Sequence, residues 1–312
     1  MKIIFSVLLV TFLLFVTAWF MPVTFKQEIA VEAPLNNISN ALLNLEKWRY
    51  WHPSIRTVSD SGKIIYNTTK AGHPIITSKE STIELRNSSA LGILVRETSL
   101  TKNRWYSLFI IPQGNDPTYI ISLKEKGNLL QWTVRNLRGS EKNKILSTLK
   151  SYIENPANYY GFPIHLGDVV DTIVVTKEFT CATDHLYKKL EKTFGELNEY
   201  IKSNNLTVTH KKIAFIQYRN KDTLQVMAGV PVNKEADKQE HLYYQRMPKG
   251  RMLIGRYEGR YSELHKLYAA MSQYIIDYSL KPVALSYEKY LSDQPPASTE
   301  SHVVIDVYFP IF

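Results

Sequence analysis

LHKLYAAMSQYIIDYSL, residues 264–280, repeats the apolar spacing of LEKTFGELNEYIKSNNL, residues 190–206. Leu190, Phe194, Leu197, Tyr200, Ile201 and Leu206 are separated by 4, 3, 3, 1 and 5 positions, and so are Leu264, Tyr268, Met271, Tyr274, Ile275 and Leu280, 74 residues later. Intervals of three and four gather side chains on one face of a helix. After each helix the chain reaches a strand-like stretch and closes on an apolar run containing proline, 226–232 in one case and 303–311 in the other. A half-domain of this kind cannot bury its apolar face alone. The two copies are therefore expected to pack about a pseudo-twofold axis and to leave a shared groove between them.

Outward from this repeat, composition sets the frame. The 312 residues are 44% hydrophobic and 21% charged, which is ordinary for folded protein and enough for two domains. The net charge of +9 is uneven: residues 27–160 hold 17 basic against 11 acidic side chains, and residues 161–312 hold 19 against 18. No recognition-helix pattern, zinc-finger spacing or dense basic block is present, so nucleic acid is not expected as a partner. A single cysteine, Cys181, excludes an internal disulfide and a cysteine-built zinc site. The eight histidines lack metal-ligand spacing, and His185 and His265 read as surface residues, so neither a metal nor a cofactor is expected.

Between Lys2 and Lys26 lie 23 residues without a formal charge, IIFSVLLVTFLLFVTAWFMPVTF. As a helix this run reaches roughly 34 Å, enough for a bilayer core of about 30 Å. The segment Thr17-Ala18-Trp19-Phe20-Met21-Pro22 offers no small-x-small cleavage site, which favours a retained anchor over a cleaved signal peptide. The expectation is a transmembrane anchor at 1–25 and a single-pass membrane protein, with the bulk of the chain on the outer, non-cytoplasmic side.

After the anchor, Gln27 to Glu32 alternates like a strand, and Leu35, Ile38, Leu42 and Leu45 have helical spacing. An aromatic turn follows at Trp48-Arg49-Tyr50-Trp51-His52-Pro53, its Trp48, Trp51 and His52 serving the core and the turn. Strands punctuated by turn signals run from Lys63 to Arg138, and Lys142 to Ile153 returns to helix. This order, with Ile29-Ala30-Val31-Glu32-Ala33-Pro34 and Leu45-Glu46-Lys47-Trp48-Arg49-Tyr50-Trp51-His52-Pro53, resembles the START-like (SRPBCC) superfamily of polyketide cyclases and lipid-transfer domains. The resemblance implies a helix-grip domain over 26–156 with a cavity for an apolar ligand, and it carries over no catalytic residue.

Gly255-Arg256-Tyr257-Glu258-Gly259-Arg260-Tyr261-Ser262-Glu263-Leu264, with Tyr287-Glu288-Lys289-Tyr290-Leu291 and Ile305-Asp306-Val307-Tyr308-Phe309-Pro310-Ile311, resembles the GyrI-like domain, also known as the AraC effector-binding or multidrug-sensing domain. It implies that residues 160–312 form two strand-helix-strand-strand units with a small-molecule site between them. The whole chain is then α+β: an N-terminal transmembrane helix, a helix-grip START-like domain and a duplicated GyrI-like domain with pseudo-twofold symmetry.

Glu288 is the residue that breaks the repeat. Its counterpart in the first copy is Ala214 or, with a two-residue slip, Ile216, and both are apolar. An acid in such a place needs a cation, a donor or water. The GyrI-like resemblance implies a carboxylate at this position facing cationic or polar ligands among aromatics, here Tyr257, Tyr261, Tyr268, Tyr287 and Phe309, whose ring faces also attract cations. The opposing reading turns Glu288 to solvent beside Lys289. No nucleophile elbow, phosphate-binding glycine loop or dinucleotide fingerprint occurs, so no catalytic residue is assigned. The function expected is a membrane-anchored sensor or sequestering protein for a cationic or aromatic small molecule, with its protein partner left open. One rival is a hydrolase of small electrophiles using Glu288 as base beside Tyr257 or Tyr261. Another is lipid handling by the START-like domain.

Overall fold

The computed structural model describes residues 15–59, 64–79, 81–89, 91–100, 103–114, 118–129, 144–169, 172–220, 222–237, 241–247, 250–292 and 296–312. The chain divides into two compact units, meeting in sequence at Tyr159 and Tyr160.

The first unit opens with β1 (Pro22–Glu32), followed by three short helices, α1 (Leu35–Leu43), α2 (Leu45–Trp51) and α3 (Pro53–Ser59). Six strands come next: β2 (Ile65–Thr68), β3 (Pro74–Thr77), β4 (Ser81–Ser89), β5 (Gly92–Ser99), β6 (Asn103–Pro112) and β7 (Thr118–Asn128). The helices α4 (Lys144–Glu154) and α5 (Pro156–Tyr159) complete the unit. The sheet order is β1-β7-β6-β5-β4-β3-β2, antiparallel throughout. The segment expected as an aromatic turn is helical instead. Asn44 caps α2 by accepting the Glu46 N–H at 2.9 Å, and the i, i+3 spacing puts Trp48 and Trp51 on its buried face. Both indoles donate to carbonyls of α1, Trp48 to Leu42 and Trp51 to Ala41, so burial leaves neither N–H unpaired. His52 stacks on Trp48 and meets the Tyr106 hydroxyl at 2.9 Å. Burial lowers its pKa to about 4, so it is neutral near pH 7.

Three parts of the expected architecture are corrected here. Among the described residues no helix is long and apolar enough to cross a membrane. Residues 15–20 are helical, but Pro22 to Phe25, assigned to the span, pair with Asn128 to Glu125 as the start of β1. An apolar run with alternating burial satisfies its backbone groups on a sheet edge as well as in a helix. Residues 3–14 of the expected span lie outside the described residues. The single-pass, outer-side localisation built on that span is therefore not supported. The START-like helix-grip description of 26–156 is replaced by a seven-stranded curled antiparallel sheet, because a strand-helix-strands-helix order is common to many sheets of this kind. The strands expected as far as Arg138 end, among the described residues, at Asn128.

The second unit contains β8 (Ile164–Val169), β9 (Thr172–Ala182), α6 (Leu186–Ser203), β10 (Ile213–Tyr218), β11 (Thr223–Val232), β12 (Tyr243–Met247), β13 (Gly250–Arg260), α7 (His265–Asp277), β14 (Tyr287–Tyr290) and β15 (His302–Pro310). Its strands form one sheet in the order β12-β9-β11-β10-β14-β15-β13-β8. The run β9-β11-β10 thus meets its inverted image β14-β15-β13 at the centre. Each copy is strand, helix, strand, strand. The repeat is also written in the backbone: Asn205 and Ser279, 74 positions apart, both adopt φ 53° just beyond their helices. After both, the amide of the next residue returns to a helix carbonyl, Leu206 to Ile201 and Leu280 to Ile275. At the centre Ala214 pairs directly with Glu288, its own counterpart, so the pseudo-twofold axis passes between them.

One sheet face carries both helices. There Leu190, Phe194, Leu197, Leu267 and Met271 pack on Ala214, Val226, Leu253 and Val307. Ile213, Met252, Tyr287 and Tyr308 cluster on the other face. Close approach of α7 depends on Gly255, where a Cβ would lie 2.5 Å from the Met271 sulfur and 2.8 Å from Leu267 Cδ1.

Candidate functional site

β14 is four residues long, and its alternation decides which side chains meet. Successive residues of a strand face opposite ways. Tyr287 therefore joins the far face, stacked on Tyr308 at 4.8 Å, whereas Glu288 and Tyr290 point to the helix-bearing face. Glu288 is 4% exposed and Tyr290 fully buried.

Three hydroxyls converge on the carboxylate. Tyr261, in the turn between β13 and α7, lies 2.9 Å from Oε2 and 3.1 Å from Oε1. Tyr290 donates to Oε2 at 3.1 Å, and Tyr268, from α7, to Oε1 at 3.3 Å. Among the described residues no lysine or arginine forms an ion pair with Glu288. Burial pushes its pKa up to about 7, against the opposing pull of the Tyr261, Tyr290 and Tyr268 hydroxyls. The tyrosines respond in kind: burial first, then the nearby carboxylate, raises Tyr261, Tyr268 and Tyr290 well above the usual phenol range. Tyr187, on the first turn of α6, meets Tyr261 edge to face at 5.6 Å, and its hydroxyl is pushed up to about 12 by burial and by Glu288. The result is a buried carboxyl group poised between charged and neutral, lined by aromatic faces and phenol hydroxyls.

Of the residues expected at the site, Tyr261 and Tyr268 bond Glu288, and Phe309 meets the edge of Tyr268 at 5.9 Å. Tyr287 lies across the sheet. Tyr257 donates its hydroxyl to the Arg260 carbonyl at 2.7 Å and faces Phe162, so it makes no hydrogen bond to Glu288. Two residues were missed, Tyr187 and Tyr290. Tyr290 was legible in the strand period, being two places from Glu288. Tyr187 was legible in the repeat, standing 74 positions before Tyr261.

A duplicated sheet with an aromatic-lined, polar-anchored interior between two helices defines a small-molecule-binding module. Residues 171–311 match the model of the GyrI-like small molecule binding domain, and this part of the chain is such a domain. That match lies wholly in the second unit and adds nothing to the START-like reading of the first. No curated protein matches the chain at a significant level. Among solved structures, the EcmrR C-terminal domain is similar at 21% identity and TM-score 0.42, covering 48% of this chain and 98% of that one. An EcmrR–DNA complex is similar at 19% and 0.44, covering 58% and 68%. SAV2435 bound to tetraphenylphosphonium is similar at 13% and 0.36, covering 48% and 93%. Against the expectation of no nucleic-acid partner stands the EcmrR complex, in which that protein is seen with DNA. A membrane partner held through an N-terminal anchor is not supported either: among the described residues no helix is long and apolar enough to span.

Proposed function

We propose that the second unit senses or sequesters a cationic or aromatic small molecule, with Glu288 as its polar anchor. The observation that carries this reading is a buried carboxyl group that, among the described residues, has no ion-pair partner and accepts hydrogen bonds only from tyrosine hydroxyls. A carboxylate in that setting gains most from a desolvated cation, and the surrounding ring faces of Tyr187, Tyr261 and Tyr268 favour the same charge. The hydroxyls occupy the place the cation would take. Binding therefore includes their displacement, and the cation must replace what the hydroxyls supplied.

A hydrolase acting through Glu288 has a base of suitable pKa. With the Tyr257 hydroxyl engaged at Arg260, the tyrosine available to that reading is Tyr261. The test compares wild type with Glu288→Gln, measuring binding of the lipophilic cation tetraphenylphosphonium and turnover of an activated ester. Binding by wild type that falls at least tenfold in the variant, with no turnover in either, supports the sensor. Turnover lost in the variant replaces it with the hydrolase, and binding unchanged by the substitution removes Glu288 from the site.

A further inference from the structure

The axis between Ala214 and Glu288 makes the groove a comparison of two walls built on one plan. Tyr187 of the first copy corresponds to Tyr261 of the second, and the two rings touch across the axis. Phe194 corresponds to Tyr268, and Ile216 to Tyr290. Three of these four pairs, counting Ala214 with Glu288, differ in the same sense: the second copy bears a hydroxyl or carboxyl group where the first has hydrocarbon only. In the fourth pair it is Tyr261, of the second copy, whose hydroxyl turns to Glu288. The first wall is nonetheless part of the same interior, since Phe194 meets the edge of Tyr290 at 6.1 Å and Ala214 is the backbone partner of Glu288.

We infer that the groove takes an amphipathic monocation in one orientation, its charge toward the second copy and its apolar end against Phe194 and Ile216 of the first, and that it rejects a dication of the same shape. This rests on the function proposed above and adds the polarity of the ligand to it. A second positive charge at the far end of the ligand would be stripped of water beside Ile216 and Phe194, whose ring already has Lys212 Nζ 5.3 Å over it, with no carboxylate at the first-copy counterpart of Glu288 to meet it, and a buried unpaired charge is strongly disfavoured. The duplicated plan gives two equivalent ends, and the substitutions make those ends chemically opposite. Discrimination then follows from the unpaired charge more than from size.

Two probes of nearly equal shape separate these ideas. 1-Methyl-4-phenylpyridinium carries one charge, and methyl viologen replaces its phenyl ring with a second methylpyridinium. Affinities of the full chain for both, at fixed ionic strength, are measured by calorimetry alongside Glu288→Gln and Ile216→Glu. Ile216 is chosen for the second acid because it is less buried than Ala214, and a carboxylate at Ala214 would abut Glu288. The expected result is that wild type binds the monocation at least tenfold more tightly than the dication, that Glu288→Gln weakens the monocation, and that Ile216→Glu narrows or inverts the preference. Equal binding of both probes by wild type, with both weakened in Glu288→Gln, overturns the polarity while leaving the cation site in place. Binding of neither probe overturns both readings. A folded Ile216→Glu protein that keeps the wild-type ratio also overturns the polarity. The wild-type ratio alone decides the matter where that variant does not fold.

Discussion

Replacing Glu288 by glutamine should change how stability depends on pH, in a direction opposite to that of an acid held ionised by a salt bridge. Burial raises the pKa of this carboxyl group from 4.5 to about 7 in the folded chain. Its folded-state pKa lies above the unfolded value, so the favourable contribution is complete below pH 4.5, where both states hold the proton, and is lost as pH rises through 7. The rise corresponds to about 3 kcal/mol. Glutamine does not titrate, so the stability difference between variant and wild type should be flat below about pH 4.5 and move in the variant's favour by about 3 kcal/mol by pH 8. Urea unfolding of both full-length proteins from pH 4.5 to 8.5 gives the difference directly, and contributions from groups common to both cancel. A difference that stays constant across that range would mean that Glu288 is solvated or already paired with a cation, and the burial argument would be refuted.

His52 behaves in the opposite sense. Its pKa falls from 6.5 to about 4 on burial, so its contribution is full above pH 6.5 and declines by about 3 kcal/mol as pH drops toward 4. Acid unfolding followed by fluorescence of Trp48 and Trp51 should show that decline in wild type and a smaller one in His52→Gln. Gly255→Ala should destabilise the second unit by about 1–3 kcal/mol by forcing Met271 and Leu267 off the sheet; an unchanged unfolding midpoint would contradict that packing. Residues 26–156 and 160–312, expressed separately, should each unfold in one cooperative transition, and the full chain in two resolvable steps. Aggregation of both fragments would argue for a single fused core.

The helix periodicity at 190–206 and 264–280, the duplication and the odd status of Glu288 were all readable in one dimension. Period and repeat are properties of the chain's local geometry: an i, i+3, i+4 stripe must be buried wherever it lies, and an acid opposite an apolar twin needs a partner in any fold that keeps the repeat. Tyr290 and the misplaced Tyr287 were also within reach, because strand alternation sends neighbours to opposite faces whatever the sheet does. Other features depended on partners distant in sequence. Pro22 to Phe25 read as the end of an apolar helix, but β7, about a hundred residues later, offered a strand edge that satisfies the same backbone groups. Trp48 to Trp51 read as a turn until Asn44 and the carbonyls of α1 were seen to cap and receive a short helix. Tyr257 and Tyr261 are four positions apart and alike in sequence, yet only Tyr261 lies in the turn that brings a hydroxyl to β14. The chain by itself determined that a charged group would need a partner inside a symmetric frame. Which hydroxyls reach it was decided by tertiary structure, because a contact between remote segments has no signal until the sheet that joins them is formed.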